Sequence, residues 1–256
     1  MDIKNVIDIA LTAGEILLRF GAETYRIEET VSKICESYGY KGECLSMSNG
    51  IIINVEDENL SKVTSMKKVG QKKVDLYRIE LINAFSREIK NYPISYEQAM
   101  KRLKEIDNSP NFTLPVRIFA ACMTGFIYTI FFNGSLIDGL ASIIICLITY
   151  LMLEKISEFG FFQFLEYYLA GTLIGGASIF SHFLIPSINE HNVITGAIMI
   201  LLPGVVLTNG IKDVLYGDFS AGISKFCEAL IVIIAVSAGI GTSIFINLRG
   251  VWIYVD

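Results

Sequence analysis

Apolar residues recur at helical spacing through most of the first 110 residues. Positions three and four apart share one face of a helix, so the recurrence predicts amphipathic helices. Two such stretches flank a break at Gly21, and another stretch follows later. Their apolar positions are Ile3, Val6, Ile7, Ala10, Leu17 and Leu18; Ile27, Val31, Ile34 and Tyr38; and Val74, Tyr77, Leu81, Phe85 and Ile89. Ser95 with Gln98 forms a capping box that opens a fourth helix.

Between Lys41 and Gly70 the pattern changes to β-prone runs, CLSMS, IIINV and VTSMKKV. Asn49-Gly50 separates the first two runs and is a strong hairpin signal. The element order ααβββαα therefore predicts a small α+β domain over residues 1–110.

The remaining residues contain five apolar segments near the roughly 20-residue length that crosses a bilayer. They are residues 112–132, 135–153, 161–185, 192–208 and 222–246. Pro203-Gly204 interrupts the fourth segment, which a straight helix fits least well. The sequence predicts an α-helical integral membrane protein, with five transmembrane helices in residues 111–256, preceded by the α+β domain.

Charge is divided in the same way, because 33 of the 47 charged residues precede Asn111. Charges of both signs are mixed along the helices, and the net charge is -5, so nothing indicates a nucleic-acid partner. The five cysteines have no C-x-x-C spacing, and we expect no metal site and no cofactor.

Lysines in the short connections predict the orientation. Lys155, Lys212 and Lys225 fall on the side shared with the N-terminal domain, which places that domain in the cytoplasm by the positive-inside rule. Five crossings then leave the C-terminus outside.

Ionisable residues inside apolar spans are costly and need partners or a watery path. The candidates are Arg117, Asp138, Glu166, His182, Lys225 and Glu228. Most lie near predicted helix ends, where snorkelling to the interface is the simpler explanation.

Residues 202–222, LPGVVLTNGIKDVLYGDFSAG, concentrate Pro, Gly, Asn and Asp where one apolar helix ends and the next begins. One interpretation is a broken helix whose free backbone groups, with Thr208, Asn209, Asp213 and Asp218, bind polar solutes or protons. The other is an ordinary cytoplasmic turn, with Gly210 and Gly217 ending helices and Asp218 as a cap.

This segment resembles the signature of the threonine/serine exporter family, in which LPG is followed by an Asn and, one helical turn later, an Asp. Residues 13–39 resemble the N-terminal motif of that family. The matching residues are Gly21, Ala22, Glu23, Thr24, Arg26 and Glu28. The resemblance implies efflux across a bacterial or archaeal inner membrane, and the lack of a G-x-x-x-x-G-K-[ST] loop in the sequence favours a gradient-driven transporter.

Full-length exporters of this family carry a second membrane half, so the chain resembles the first component of a split system. The resemblance implies a second, smaller membrane subunit as partner. It implies threonine or serine as the solute, with a dicarboxylate such as succinate as the alternative.

These considerations assign roles to individual residues. Pro203 and Gly204 are expected to break the helix, Asn209 to bind solute, and Asp213 and Asp218 to accept a proton or an ammonium group. Arg117 is expected to offset a carboxylate.

Two other classes of function stay open. In a membrane-embedded hydrolase, Asp213 would share a proton with a second acid such as Asp138 or Glu228. The predicted topology places Asp138 near the outer face and Asp213 near the inner face, so Glu228 is the partner that could meet Asp213. In a scaffold or sensor, residues 21–26 would form an interaction surface. The simpler explanation of those residues is a link in which Gly21 ends one helix and Arg26 lies on the next.

Overall fold

A computed structural model describes residues 1–56, 62–70 and 73–253, with the backbone alone for residues 248–253. The helices are α1 Ile3–Arg19, α2 Thr24–Ser37, α3 Leu76–Asn91, α4 Tyr96–Asp107, α5 Leu114–Phe131, α6 Leu136–Glu158, α7 Gln163–Leu184, α8 Glu190–Ala197, α9 Gly204–Leu215 and α10 Phe219–Ile253. The strands are β1 Lys41–Met47, β2 Gly50–Glu56 and β3 Lys62–Lys68, and a 3₁₀ turn, Ile198–Ile200, follows α8. The first seven elements have the predicted order.

The chain forms two compact units. The first combines Met1–Pro110 with Val205–Cys227, and the second combines Asn111–Gly204 with the residues from Glu228 onward. The division at residue 110 drawn from the sequence thus leaves out a later segment, residues 205–227, that packs with the N-terminal region. α10 begins in the first unit and continues into the second.

The core of the first unit lies between helices α1 to α4 and one face of the antiparallel sheet β1-β2-β3. Ile51, Ile53 and Val55 of β2 are fully buried because alternate residues of a strand point to the same face. The predicted hairpin is present, but its register differs by one residue. Met47 pairs with Gly50, so Ser48 and Asn49 form the turn and Gly50 starts β2.

The second unit contains most of the apolar helical residues. Among the described residues, three helices are long and apolar enough to cross a membrane: α5, α6 and Phe219–Asn247 of α10. A fourth span is formed if the bent pair Glu190–Ile200 and Gly204–Leu215 counts as one. The prediction of five transmembrane helices is therefore not confirmed.

The third and fourth predicted segments account for the difference. α7 has 22 residues, which is long enough, but it contains Glu166, two tyrosines and His182 and is not among the three helices that are both long and apolar enough. The fourth segment is not a straight helix from 192 to 208, because the chain leaves helical structure after Ile200 and resumes it at Gly204. Pro203 accounts for the break, since proline cannot continue a helical hydrogen-bond ladder.

Small residues allow α7 and α10 to approach closely within the second unit. A Cβ at Gly171 would lie 3.0 Å from the Cα of Val236, and one at Gly175 would lie 3.0 Å from the Cβ of Ser243. Close backbone approach at small residues is the usual way for apolar helices to pack without a hydrophobic driving force. On α10 a close approach is at Gly239, where an added Cβ would meet the backbone of Tyr168 and Thr172.

Candidate functional site

The connection between α1 and α2 is a tight turn that leaves two backbone carbonyl oxygens available for hydrogen bonds. α1 ends in a Schellman motif, in which Gly21 N–H donates to Leu18 O and Ala22 N–H donates to Leu17 O. Gly21 has a φ of 81°, a conformation that glycine adopts without steric cost. The turn uses the amides of Gly21 and Ala22 for the cap and leaves their carbonyl oxygens available to other partners.

The second part of the site is the hairpin of α9 and the start of α10. Gly217 has a φ of 96° and lies in the turn just after α9, where it stops the helix as one of the sequence-based interpretations predicts. Gly210 does not end a helix, because it lies inside α9 against α10. A Cβ at Gly222 would lie 2.7 Å from Gly210 O, so only glycine allows this approach.

The hairpin holds Asp213 in a fully buried position, with 0% of its surface exposed. Its carboxylate accepts three hydrogen bonds. The Thr24 backbone N–H donates to Oδ1 at 2.9 Å, the Thr24 hydroxyl donates to Oδ2 at 3.0 Å, and Lys225 Nζ donates to Oδ2 at 2.6 Å. Asp213 is therefore neutralised by an ammonium group and also receives the N-terminal amide of α2, where a helix favours an anion.

Lys225 and Asn209 bind the backbone of the α1–α2 connection. Lys225 is 7% exposed, and its Nζ also donates to Ala22 O at 3.2 Å. Asn209 Nδ2 donates to Gly21 O at 2.8 Å. We refer to Asn209, Asp213 and Lys225 as the polar trio, and to residues 21–24 as the docking segment. Each member of the trio binds the docking segment.

Charged and aromatic contacts surround this centre. Glu23 contacts Lys212 Nζ at 3.0 Å and Arg26 Nε at 3.2 Å. Burial opposes ionisation of Glu23, but hydrogen bonds from its own backbone and from Lys212, with the charge of Arg26, outweigh burial and lower the pKa of Glu23. Tyr25 stacks on Tyr216 with ring centroids 4.2 Å apart.

The pKa of Glu28 is shifted in the opposite direction. Burial and the negative charges of Asp218 and Asp213 raise its pKa, although the backbone N–H of Ser46 donates to its carboxylate at 2.9 Å. The N-terminal motif thus contains one glutamate that favours ionisation and one that resists it.

The other predicted residues of this stretch lie at the break before α9, on the exposed side of α9 and at the turn that follows it. Pro203 and Gly204 are at the break before α9. Thr208 is exposed and its hydroxyl donates to Val205 O at 3.0 Å. Asp218 is half-buried at the turn, where its N–H donates to Asp213 O at 2.8 Å.

Arg117 and Glu228 belong to the second unit. Arg117 forms a bidentate ion pair with Glu154, at 2.9 and 3.0 Å, so the carboxylate that it offsets is Glu154. The hydrolase interpretation needs a second carboxylate at Asp213. Among the described residues, the hydrogen-bond partners of the Asp213 carboxylate are instead an ammonium group, an amide and a hydroxyl.

Sequence reasoning found Asp213 and Asn209 but did not pair them with Lys225 or with the docking segment. A signal for the ion pair was present, because a lysine within an apolar segment needs an opposite charge. Asp213 is the acidic residue on the other side of the turn between α9 and α10, 12 positions before Lys225. No local signal relates Thr24 to Asp213, which are 189 positions apart.

Comparisons with known proteins agree with the two sequence motifs. A family model described as "Putative threonine/serine exporter" matches residues 8–247. The chain is 21% identical over 250 residues to a threonine/serine exporter of Corynebacterium glutamicum, with 94% of this chain and 51% of that protein aligned. The chain therefore spans about half the length of this relative. No solved structure matches the chain.

Proposed function

Because this chain belongs to the threonine/serine exporter family, we propose that it exports threonine and serine from the cell as part of a membrane transporter. Membership covers both sequence motifs and both units. Apolar helices long enough to cross a bilayer are present among the described residues, as a membrane transporter requires.

The observation that carries the proposal is the buried pair of Asp213 and Lys225 beside Asn209. A free amino acid is a zwitterion, with an ammonium group that complements Asp213 and a carboxylate that complements Lys225. A dicarboxylate such as succinate has no cation to offer Asp213. The charges at this position thus favour threonine and serine over the dicarboxylate alternative.

We propose that an ion gradient drives export. A buried carboxylate next to an ammonium group can exchange a proton or an ammonium ligand during a transport cycle. Asp213 is the first candidate for this role, and Asp218, which follows it at the turn, is the second.

We propose that a second, small membrane subunit completes the transport path. Three described helices are long and apolar enough to cross a membrane. In each of them, no more than 33% of the most apolar 18-residue stretch is buried inside the chain. The remaining apolar surface is available to lipid and to further helices. The C. glutamicum relative is about twice as long. The proposed location is the inner membrane, with the N-terminus cytoplasmic and the C-terminus outside.

Efflux from cells that lack their own exporters tests the proposal. Cells are loaded with labelled threonine, serine or succinate, and release is followed with the chain alone and with a candidate small membrane subunit. We expect threonine and serine to leave faster with the pair, and Asp213→Asn to abolish this release while the protein still inserts. Asp2→Asn changes an exposed aspartate and is the matched control.

Two results would contradict the proposal. Release of threonine at the wild-type rate by Asp213→Asn would exclude Asp213 from the transport path. If no solute left the cells under any combination, despite confirmed insertion, export of these solutes would be rejected.

A further inference from the structure

The docking segment presents to the polar trio the same functional groups as a free threonine molecule. Asp213 binds an N–H and an O–H, while Lys225 and Asn209 each bind a carbonyl oxygen. A threonine zwitterion has an ammonium group and a hydroxyl as donors, and two carboxylate oxygens as acceptors. The donors and acceptors correspond one to one.

The correspondence is closest at Thr24. Its backbone nitrogen is attached to Cα and its hydroxyl oxygen to Cβ, and both groups donate to the carboxylate of Asp213. Free threonine and serine carry their amine and hydroxyl on the same two carbon atoms. Their ammonium group adds a full positive charge that the backbone amide of Thr24 lacks, so it interacts more strongly with a carboxylate.

The carbonyl oxygens of Gly21 and Ala22 accept hydrogen bonds from the other two members of the polar trio. Asn209 donates to the first at 2.8 Å and Lys225 to the second at 3.2 Å. These two carbonyls belong to neighbouring residues, and a single carboxylate would offer both acceptors together with a negative charge. Hydrogen bonds between charged partners are shorter and stronger than those to a neutral carbonyl.

The polar trio is also arranged as a unit. Asn209 and Asp213 are four residues apart on α9 and therefore share one helix face, and Lys225 approaches that face from α10. All three side chains are buried. A small solute can contact all three only after the docking segment has left.

We propose that the docking segment is a built-in pseudo-substrate that occupies the threonine and serine site formed by Asn209, Asp213 and Lys225. This inference rests on the proposed function, and it specifies the ligand contacts and a means of regulation. Cytoplasmic threonine or serine displaces the segment, so the site opens only when its solute is present. The hydroxyl contact with Asp213 sets the preference for hydroxylated amino acids.

To displace the docking segment, the solute must also break contacts at the edge of that segment, which costs further free energy. Glu23 pairs with Lys212, and Tyr25 stacks on Tyr216. Displacement is therefore expected at high rather than trace concentrations of solute. Such a threshold suits an exporter that removes an excess of an amino acid.

Hydrogen–deuterium exchange of the purified wild-type protein in nanodiscs tests the proposal directly. Saturating threonine or serine is expected to increase exchange in peptides that cover residues 17–28, because the Thr24 amide loses its acceptor, Asp213, and the turn loses the side chains that hold its carbonyl oxygens. Binding usually slows exchange, so the increase distinguishes displacement from simple binding. 2-Aminobutyrate, which lacks the hydroxyl, and succinate, which lacks the ammonium group, are expected to have much smaller effects.

Thr24→Val removes the hydroxyl that competes with the solute and keeps the shape of the side chain. It is expected to lower the apparent Kd for labelled threonine by roughly tenfold, the equivalent of one hydrogen bond to a charged group. Thr24→Ser is expected to bind as the wild type does. Thr30→Val, a buried threonine further along α2, controls for the loss of a hydroxyl.

The outcomes separate this inference from the proposed function. If threonine is exported but leaves exchange in residues 17–28 unchanged or slower, the pseudo-substrate is rejected and export stands. If Thr24→Val binds threonine no more tightly than Thr30→Val, Thr24 has only a structural role and the inference is also rejected. Faster exchange with threonine in a protein that exports nothing even with the candidate small subunit would support the pseudo-substrate and reject the transport proposal.

Discussion

The two compact units bury polar groups in different ways. In the first unit, Asp213 is buried with a cationic partner, Lys225, and both bind a segment from the other end of the sequence. In the second unit, Asp138 is equally inaccessible, but its carboxylate accepts from the backbone N–H groups of Ser135 and Asn189 at 2.8 and 2.7 Å.

This difference predicts where a mutation has a large effect. Backbone donors are retained in every substitution except one to proline, and the Asp138 arrangement is a capping box at the start of α6. The Asp213 arrangement depends on a side chain that substitution can remove. The first unit is thus most sensitive to loss of a charge. The second unit is most sensitive to added bulk where its helices approach closely.

Lys225→Met is expected to produce the largest loss of stability. The substitution leaves Asp213 buried without its cation, which costs about 3–5 kcal/mol in other buried pairs. Unfolding of the purified protein by increasing SDS in mixed micelles measures the change. In the second unit, Arg117→Met removes a pair in which both side chains are 38% exposed, and about 0–1 kcal/mol is expected.

A double variant sharpens this prediction. Asp213→Asn together with Lys225→Met removes both charges and should be more stable than Lys225→Met alone. Equal stability of the wild type and Lys225→Met would show that the Asp213 carboxylate does not need the ammonium group.

Gly171→Ala tests the close approach in the second unit. The added Cβ would lie 3.0 Å from the Cα of Val236 and closer still to its carbonyl oxygen, and overpacking of this kind costs about 1–3 kcal/mol. Gly176→Ala is the matched control on the same helix, because its nearest neighbour, Ser243 Oγ, would be 3.8 Å away. The same SDS titration should separate the two variants; a Gly171→Ala protein as stable as Gly176→Ala would argue against close packing of α7 on α10.

The smallest effects are expected from the two glutamates of the N-terminal motif, and they should have opposite signs. The lowered pKa of Glu23 means that its contribution to stability is present above the ordinary carboxyl pKa and is lost as the pH falls through the lowered value. Glu23→Gln should therefore lower the Tm at neutral pH and reduce its fall in acid.

Glu28 has a raised pKa, so folding is favoured by its protonated form and this contribution is lost as the pH rises through the raised value. Glu28→Gln should raise the Tm at neutral pH, and the difference from wild type should vanish in acid. Thermal unfolding between pH 4 and pH 8 measures both variants. If the two variants gave parallel curves of Tm against pH, the opposite pKa shifts of Glu23 and Glu28 would be contradicted.

Much of the secondary structure follows from local pattern. Helical spacing located α1 to α4, the capping box at Ser95 is present, and the interruption at Pro203 divides the fourth apolar segment as the sequence indicates. Local pattern was less informative at two places. α7 is a helix of suitable length that lacks the hydropathy of a clear span, and Gly210 lies inside a helix although glycine commonly ends one.

The sequence by itself determined which segments are helices, which are strands and where two unusual motifs lie, because periodicity and turn chemistry depend on neighbours a few residues apart. Only the tertiary structure decided that these motifs meet. Thr24 and Asp213 are 189 positions apart, and no local property of either predicts the other. Their contact results from packing of residues 205–227 with the N-terminal region, which turns a predicted solute-binding carboxylate into one that the chain's own threonine already occupies.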